Sequence, residues 1–249
     1  SLFLLKPNIP DFTLDSICSR SLQVIQPAQG YRFGIDSVIL AHLIKPKPVD
    51  TLLDLGTGCG IIPLIIAYKH TTSQLIGVEI QEEQVVFALE NLKLNGMQDR
   101  IQIIHGDIKK LKEYIPSGTI DIVCSNPPYR KLGSGRVNPH SNRAIARHEI
   151  AVNLIELLRV SADTLKRAGR FLVIYPAERM ADLFFAMKKN GLEPKFVRMI
   201  YSTVFSEAKL VVVEARKMTR PGVKAGTPLI IYNADGSYTD EIQGMLLSV

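Results

Sequence analysis

Short apolar runs alternate along most of the chain with segments whose apolar residues recur at helical spacing. Five runs have the length and composition of buried strands, at residues 51–55, 75–78, 101–105, 120–125 and 170–174. Four segments around them predict helices, at residues 60–69, 82–95, 151–166 and 177–190. Strands that alternate with helices are typical of βα units that wind a mostly parallel sheet.

The pattern changes after residue 190. Two apolar segments, residues 195–201 and 209–214, follow each other without a helix between them. Such a pair favours an antiparallel edge. The sequence therefore predicts an α/β fold with a seven-stranded, mostly parallel sheet and an antiparallel edge.

The first 50 residues predict one helix, at residues 36–44, because the prolines that follow it end a helix. We expect an N-terminal arm at residues 1–50, a catalytic domain at 51–215, and an extension at 216–249 that packs on the same domain.

Composition narrows the class of protein. With 249 residues, of which 46% are hydrophobic, the chain can bury one full core. Its apolar runs are too short for the roughly 20 residues that cross a bilayer, and it shows no signal peptide, so we expect a soluble cytoplasmic protein. Three widely spaced cysteines form neither a disulfide framework nor a metal motif. A net charge of +6 and a pI near 9.2 are compatible with a polyanionic partner without requiring one.

A glycine-rich loop follows the first strand of the parallel pattern. Asp54 lies in that strand, and Gly56, Gly58 and Gly60 are spaced G-x-G-x-G before a helix. Glycines at this place let the backbone approach a ligand closely. Ile61 stands where a dinucleotide fingerprint has its third glycine, which counts against NAD. The loop resembles the first motif of enzymes that use S-adenosylmethionine, and an ordinary tight turn is the alternative.

Acidic residues follow the next two strands. Glu79 is placed to accept the two ribose hydroxyls of a nucleoside cofactor, and Asp107 to accept from the amine of its adenine. Either residue alone would suit a solvated strand end or a helix cap. Together, at the ends of successive strands, they favour a cofactor site that includes Asp54.

The fourth strand leads into Asn126-Pro127-Pro128-Tyr129. An amino group on a purine or a carboxamide attacks a methyl donor poorly, because its lone pair is delocalised. The side-chain oxygen of Asn126 and the carbonyl of Pro127 can accept from its two N–H groups, and the prolines hold the loop rigid. Tyr129 offers a face on which a base can stack. The alternative is a surface turn stiffened by proline, in which the asparagine has no catalytic role.

These motifs together resemble class I amino-nitrogen methyltransferases and, more narrowly, the bacterial tRNA (adenine-N6) methyltransferases that modify the adenosine beside the anticodon of a valine tRNA. Residues 30–36, 142–149 and 229–233 are similar to further segments of that family. The resemblance implies S-adenosylmethionine as cofactor and tRNA as partner. It also implies that Arg32, Phe33 and Asp36 close over the cofactor, which Asn126 contacts as well.

Basic residues follow Tyr129 at a density that suits a phosphate backbone. We expect contact with RNA from Tyr129, Arg130, Lys131, Arg136, Arg143 and Arg147. A solvated loop without a partner is the alternative. His148-Glu149 begins like a zinc-protease helix, but Val152 replaces the second histidine, so no metal is expected.

Three other functions use part of the same pattern. Glutamine-N5 methyltransferases share the tetrapeptide but carry a helical substrate domain before the cofactor domain, and only about 50 residues precede the first strand here. DNA adenine methylation would need a target-recognition insertion. A non-catalytic RNA-binding module with a vestigial pocket is the hypothesis from a different class. Adenine N6 in RNA is favoured, since extrusion of a base is cheapest in an unpaired loop.

Overall fold

The computed structural model describes residues 10–29, 32–70, 74–128 and 154–247. The strands are β1 (Phe12–Ile17), β2 (Leu22–Pro27), β3 (Thr51–Leu55), β4 (Gln74–Glu79), β5 (Ile101–His105), β6 (Ile120–Ser125), β7 (Leu165–Pro176), β8 (Leu192–Tyr201), β9 (Ala208–Lys217), β10 (Lys224–Ala225) and β11 (Leu229–Ile230). The α-helices are α1 (Ile35–Leu43), α2 (Ile61–Lys69), α3 (Glu82–Leu94), α4 (Leu154–Thr164), α5 (Met180–Lys189) and α6 (Asp240–Leu247). Short 3₁₀ turns lie at Ile108–Glu113 and Ala177–Arg179.

One mixed sheet forms the centre of the fold, in the order β10-β8-β9-β7-β6-β3-β4-β5, with β11 also paired to β8. The strands from β3 to β7 run parallel, and β9 is antiparallel to both β7 and β8. The predicted seven strands with an antiparallel edge are confirmed. The two-residue strands β10 and β11 were not predicted, since so short a strand carries no period.

Side chains alternate between the two faces of this sheet, so each face has its own apolar core. On β6, Ile122 and Cys124 belong to the core that also holds α1, α2, α3 and α6. Val123 belongs to the core beneath α4 and α5. Asn126 follows in this alternation on the α1 side of the sheet, and that side carries the site.

The prediction for the N-terminal arm was incomplete. Its helix is present as α1, but an antiparallel hairpin of β1 and β2 precedes it. The turn of this hairpin contains Cys18, Ser19 and Arg20, all with positive φ between 50° and 69°. Turns of this kind normally use glycine or asparagine, so the sequence lacks the usual hairpin signal.

Helix α2 is buried along almost its whole length. Its residues 61–67 are all buried, because the sheet covers one side while α1 and β2 pack on the other. A helix that is apolar on every side is stable only when it is enclosed in this way. The arm is therefore part of the core around the glycine loop.

The C-terminal extension shares that core. Leu229, Ile242 and Met245 belong to the same buried cluster as α1, and the N–H of Cys18 donates to the carbonyl of Leu246 at 2.9 Å. The division into arm, domain and extension stays a prediction. Within the described ranges, every helix is too short or too polar to cross a membrane.

Candidate active site

Parallel strands bring the ends of β3, β4 and β6 to one edge of the sheet, where α/β folds bind their ligands. A small cavity opens at this edge between the glycine loop, the start of α1 and the residue after β6. It is lined by Phe33, Ser37, Gly56, Thr57, Gly58, Cys59, Ile61, Ile62 and Asn126. The structure thus brings together the glycine loop and the asparagine that the sequence singled out.

All three glycines of the loop have a left-handed backbone, with φ of 75° at Gly56, 57° at Gly58 and 81° at Gly60. A side chain at these positions would be strained. The N–H groups of Gly56 and Thr57 both donate to the carbonyl of Val78, at 2.9 and 3.1 Å. The loop is therefore folded back onto β4 by backbone contacts and presents no side chain at its glycines.

Thr57 depends on a fourth glycine that sequence reasoning missed. Gly77 pairs with Asp54 across β3 and β4, and a Cβ at residue 77 would lie 2.8 Å from both Cγ2 and Oγ1 of Thr57. The Thr57 side chain therefore occupies the space that any larger residue would need. An isolated glycine inside a strand is the signal of such a close approach.

Glu79 lies directly behind the loop and is 5% exposed. Its Oε2 accepts from the N–H of Gly58 at 2.8 Å, and its Oε1 accepts from the N–H groups of Ile80 and Gln81, each at 2.9 Å. A carboxylate has about four acceptor positions, so these three bonds leave about one for a ligand hydroxyl. The predicted contact to both ribose hydroxyls stays a prediction.

Asp54 lies beneath the loop and does not line the cavity. Its side chain is fully buried, its Oδ1 is 3.6 Å from the Sγ of Cys124, and its Oδ2 has no hydrogen-bond partner among the described residues. Burial raises the pKa of Asp54 to about 7. Asp54 is thus a buried acid that shares the base of the site with Cys124.

The cysteines of this region are not nucleophiles. Burial raises the pKa of Cys59 to about 12, and burial together with the neighbouring Asp54 raises the pKa of Cys124 well above its ordinary value. A thiol that stays protonated neither attacks nor binds metal well. Across the described ranges, no group of three or more His, Cys, Asp or Glu side chains could hold a metal ion.

Asn126 is 8% exposed and makes a contact that the sequence did not predict. Its Nδ2 donates to the Oγ of Ser37 at 2.8 Å, from the end of β6 to the first turn of α1. Ser37 is itself held there, since its N–H donates to the Oδ1 of Asp36 and the carbonyl of Gly34. Nδ2 is engaged by Ser37, and Oδ1 is the acceptor atom of the Asn126 side chain. Only the tertiary contact reveals Ser37, as a serine in a helix carries no signal.

The residues before α1 are anchored to the hairpin. The N–H of Phe33 donates to the Oε1 of Gln26 at 3.1 Å, and the Nε2 of Gln26 donates to Asp15 at 2.5 Å. Arg32 pairs with Asp15 at 3.1 Å and also donates to the carbonyl of Pro27. Phe33 lines the cavity, whereas the guanidinium of Arg32 is bound to the hairpin. The cofactor contact predicted for Arg32, Phe33 and Asp36 stays a prediction.

A second buried amide ties the hairpin to the glycine loop. Asn91 of α3 is fully buried, and its Nδ2 donates to the carbonyls of Ile25 and Cys59 at 2.8 and 2.9 Å. Its Oδ1 accepts from the N–H of Ile25 at 2.7 Å. Sequence reasoning missed Asn91, because its place on an amphipathic helix looks like an ordinary polar position.

Asp107 caps the 3₁₀ turn after β5. Its Oδ1 accepts from the N–H of Lys109 at 2.9 Å, and the side chain is half-buried. The predicted contact to an adenine amine stays a prediction. The predicted RNA contacts lie outside the described residues: Tyr129, Arg130, Lys131, Arg136, Arg143 and Arg147.

The sheet order, the left-handed glycine loop, the acid after β4 and the buried asparagine after β6 define a class I methyltransferase that uses S-adenosylmethionine. The chain belongs to the methyltransferase small domain family, whose profile matches residues 32–189. The match spans the start of α1, the glycine loop and the asparagine, which are the parts that meet at the cavity.

Curated relatives cover most of the chain. A protein of Pedobacter heparinus is 28% identical over 91% of this chain and 94% of its own length. One of Porphyromonas gingivalis is 28% identical over 91% of both chains, and one of Parabacteroides distasonis is 30% identical over 66% of this chain and 67% of its own. All three are named tRNA1(Val) (adenine(37)-N6)-methyltransferase.

Solved structures show the same fold at low identity. A protein of Agrobacterium tumefaciens, described as a predicted O-methyltransferase, has a TM-score of 0.70 and 19% identity over 84% of this chain and 94% of its own. The geranyl diphosphate C-methyltransferase of Streptomyces coelicolor has a TM-score of 0.52 and 14% identity over 73% of this chain and 74% of its own.

The residues present fit S-adenosylmethionine. Glu79 keeps about one acceptor position for a ribose hydroxyl after its three backbone bonds. Gly60 precedes helix α2 and supplies no side-chain cap, so the N–H groups at the start of the helix, before Pro63, suit the carboxylate of a methionine moiety. Gly56 and Gly58 line the cavity and add no side chain to it.

Proposed function

We propose that the protein methylates the exocyclic N6 of an adenine in tRNA, at adenine 37 beside the anticodon of a valine tRNA. The observation that carries the proposal is the buried carboxamide of Asn126, which Ser37 orients at the rim of the cofactor cavity. The relatives that share about nine-tenths of the chain, and are named for this reaction, support the choice of substrate.

The chemistry of the acceptor explains an asparagine at this place. The lone pair of the adenine amine is delocalised into the ring, and S-adenosylmethionine supplies the electrophilic methyl group when it is bound. An oxygen that accepts from the amine concentrates electron density on the nitrogen and favours tetrahedral geometry. Asn126 is neutral, so it can do this without binding the proton that the amine later loses to water.

Preorganisation decides how much this acceptor contributes. The Asn126 side chain is buried and fixed by Ser37, while Pro127 restricts the backbone that follows. The Pro127 carbonyl is the second acceptor that we propose for the amine. Groups held in place before the substrate arrives stabilise the transition state with little reorganisation, and one such group is worth about 10²–10³ in kcat.

An unpaired RNA loop is the substrate that best suits a site at this edge of the sheet. An adenine must leave its stack to place N6 at Asn126, and extrusion from a loop costs less than extrusion from a duplex. The relatives' named position, adenine 37, is in such a loop. Tyr129 and the basic residues after it are the further RNA contacts that we propose.

The test is methyl transfer from labelled S-adenosylmethionine to unmodified tRNA, followed by mass analysis of the nucleosides. Wild type should yield N6-methyladenosine in valine tRNA, and Asn126→Ala should lose about 10²–10³ in kcat while it still binds S-adenosylmethionine. Asn190→Ala, at the end of α5, is the control, since the Asn190 side chain donates to the Ala186 carbonyl of the same helix. Label in a release-factor glutamine, or full activity of Asn126→Ala, would contradict the proposal.

A further inference from the structure

The turn between β8 and β9 carries two exposed apolar side chains. Val204 is 66% exposed and Phe205 is 92% exposed. Two hydrogen bonds join the first and last residues of the turn. The N–H of Ser206 donates to the carbonyl of Thr203 at 3.2 Å, and the N–H of Thr203 donates to the Oγ of Ser206 at 3.0 Å. Phe205 is thus presented to solvent by an ordered turn.

Neither the geometry of the turn nor burial in a core accounts for valine and phenylalanine at these two positions. The central positions of such a turn are normally taken by glycine, asparagine, aspartate or proline, which supply the backbone geometry or a local hydrogen bond. Valine and phenylalanine supply neither here, and their apolar surface stays in water. The exposed Phe185 of α5 differs, because the Nζ of Lys189 lies 4.9 Å from the centre of its ring.

The turn lies on the same edge of the sheet as Asn126. Strands β6 and β7 are parallel, and β9 runs antiparallel to β7 and β8, so the end of β8 points the same way as the end of β6. With β7 and β9 between them, β6 and β8 are about 14 Å apart at roughly 4.8 Å per strand. The turn is therefore a neighbour of the methyl-transfer site.

The turn also rises above that edge. Ser125 at the end of β6 pairs with Val173 of β7. Strand β7 continues for three residues to Pro176, which pairs with Leu210 of β9, and β9 continues for two more to Ala208, which pairs with Tyr201 of β8. Five further residues at about 3.3 Å each place the base of the turn roughly 16 Å beyond Ser125. Phe205 therefore lies at the tip of a turn that projects beyond the edge on which the cavity opens.

The C-terminal extension supports this turn. The N–H of Tyr232 donates to the carbonyl of Ser202 at 2.8 Å, and the N–H of Ile231 donates to the carbonyl of Tyr201 at 2.9 Å. The rings of Tyr232 and Tyr238 stack with their centres 5.2 Å apart. The base of the turn is thus held by backbone bonds from a second segment.

We propose that Phe205 is a stacking platform for an unpaired base of the RNA substrate, in the same loop as the adenine that enters the cavity. The inference rests on the proposed function, because it requires a single-stranded loop. Exposed aromatic faces bind unstacked bases with little regard to sequence. Glu207 is exposed beside Phe205 and repels phosphate, while Lys209 lies further along β9, so the contact at the tip is with a base.

The first test compares Phe205→Ala with wild type on a synthetic anticodon stem-loop of the valine tRNA. We expect KM for the stem-loop to rise about 5- to 100-fold, with kcat at saturating RNA and KM for S-adenosylmethionine unchanged. Phe205→Trp should restore the wild-type KM. Phe185→Ala is the matched control and should change nothing, since it removes an exposed phenylalanine from a helix. The salt dependence of binding should keep its slope, because no phosphate contact is lost.

The second test locates the stacked base. Stem-loops with a single abasic site at each loop position in turn should reveal one position where wild type loses affinity and Phe205→Ala does not. An unchanged KM in Phe205→Ala, with wild type active on the stem-loop, would overturn the stacking role and leave the proposed function intact. An absence of methyl transfer to any RNA by wild type would instead overturn the proposed function.

Discussion

The glycine loop and the segment 32–37 border the same cavity, yet different contacts hold them. The N–H groups of the loop itself hold it, through the bonds of Gly56 and Thr57 to the Val78 carbonyl and of Gly58 to the Glu79 carboxylate. Side chains fix the other segment, through Gln26 to Phe33 and Ser37 to Asn126. The loop is thus held by its left-handed backbone and by β4, the next strand along the chain, whereas the acceptor asparagine is held by a contact across 89 residues. The two regions should respond differently to substitution.

The largest expected effect is on stability, at the buried acid below the loop. The pKa of Asp54 is about 7 in the folded protein and near 4 when unfolded, so the folded state holds an extra proton between these values. The free energy of unfolding should therefore fall as pH rises from about 4 to about 8, by on the order of 4 kcal/mol from this group.

Asp54→Asn should remove that fall, because the amide does not ionise. Urea unfolding of both proteins at several pH values checks it, since other titrating groups cancel in the difference. Asp182→Asn, which replaces an exposed aspartate of α5 by the same amide, is the matched control. Parallel curves for wild type and Asp54→Asn would show that the buried acid does not oppose folding at neutral pH.

A moderate effect is expected where Gly77 meets Thr57. In Gly77→Ala the new methyl would lie 2.8 Å from the Thr57 side chain. We expect overpacking to lower the free energy of unfolding by about 1–3 kcal/mol and the displaced loop to bind S-adenosylmethionine more weakly. Differential scanning calorimetry checks the stability, and titration calorimetry with S-adenosylmethionine checks the binding. The double variant Gly77→Ala with Thr57→Ser removes one clashing methyl and should recover part of the loss. If the double variant recovered nothing, the packing of Thr57 against Gly77 would not be what positions the loop.

The smallest effect is expected at Ser37, which positions the acceptor asparagine. Ser37→Ala should lower kcat about tenfold, since the Asn126 amide loses the bond that orients it, worth about 1–1.5 kcal/mol. KM for S-adenosylmethionine and the melting temperature should change little. Ser161→Ala is the matched control, as Ser161 is also buried in a helix and donates to its own Leu157 carbonyl. An equal fall in kcat for both variants would assign Ser37 a merely structural role.

The sequence by itself determined the sheet and the cofactor loop. Strands β3, β5 and β6 have the bounds that their apolar runs predicted, and in the middle of the sheet most of β3 and β6 is buried. The positive φ of Gly56, Gly58 and Gly60 could be foreseen too, since few residues other than glycine adopt it without strain. These features depend on chemistry within a few neighbouring residues.

Only the tertiary structure decided how the acceptor asparagine is held. The partners Ser37 and Asn126 are 89 residues apart, and the Asn91 that joins the hairpin to the loop is 66 residues from Ile25. The hairpin itself was hidden because its turn uses Cys18, Ser19 and Arg20 in place of glycine. Such contacts satisfy polar groups that become buried only when distant elements pack together. No local pattern records them.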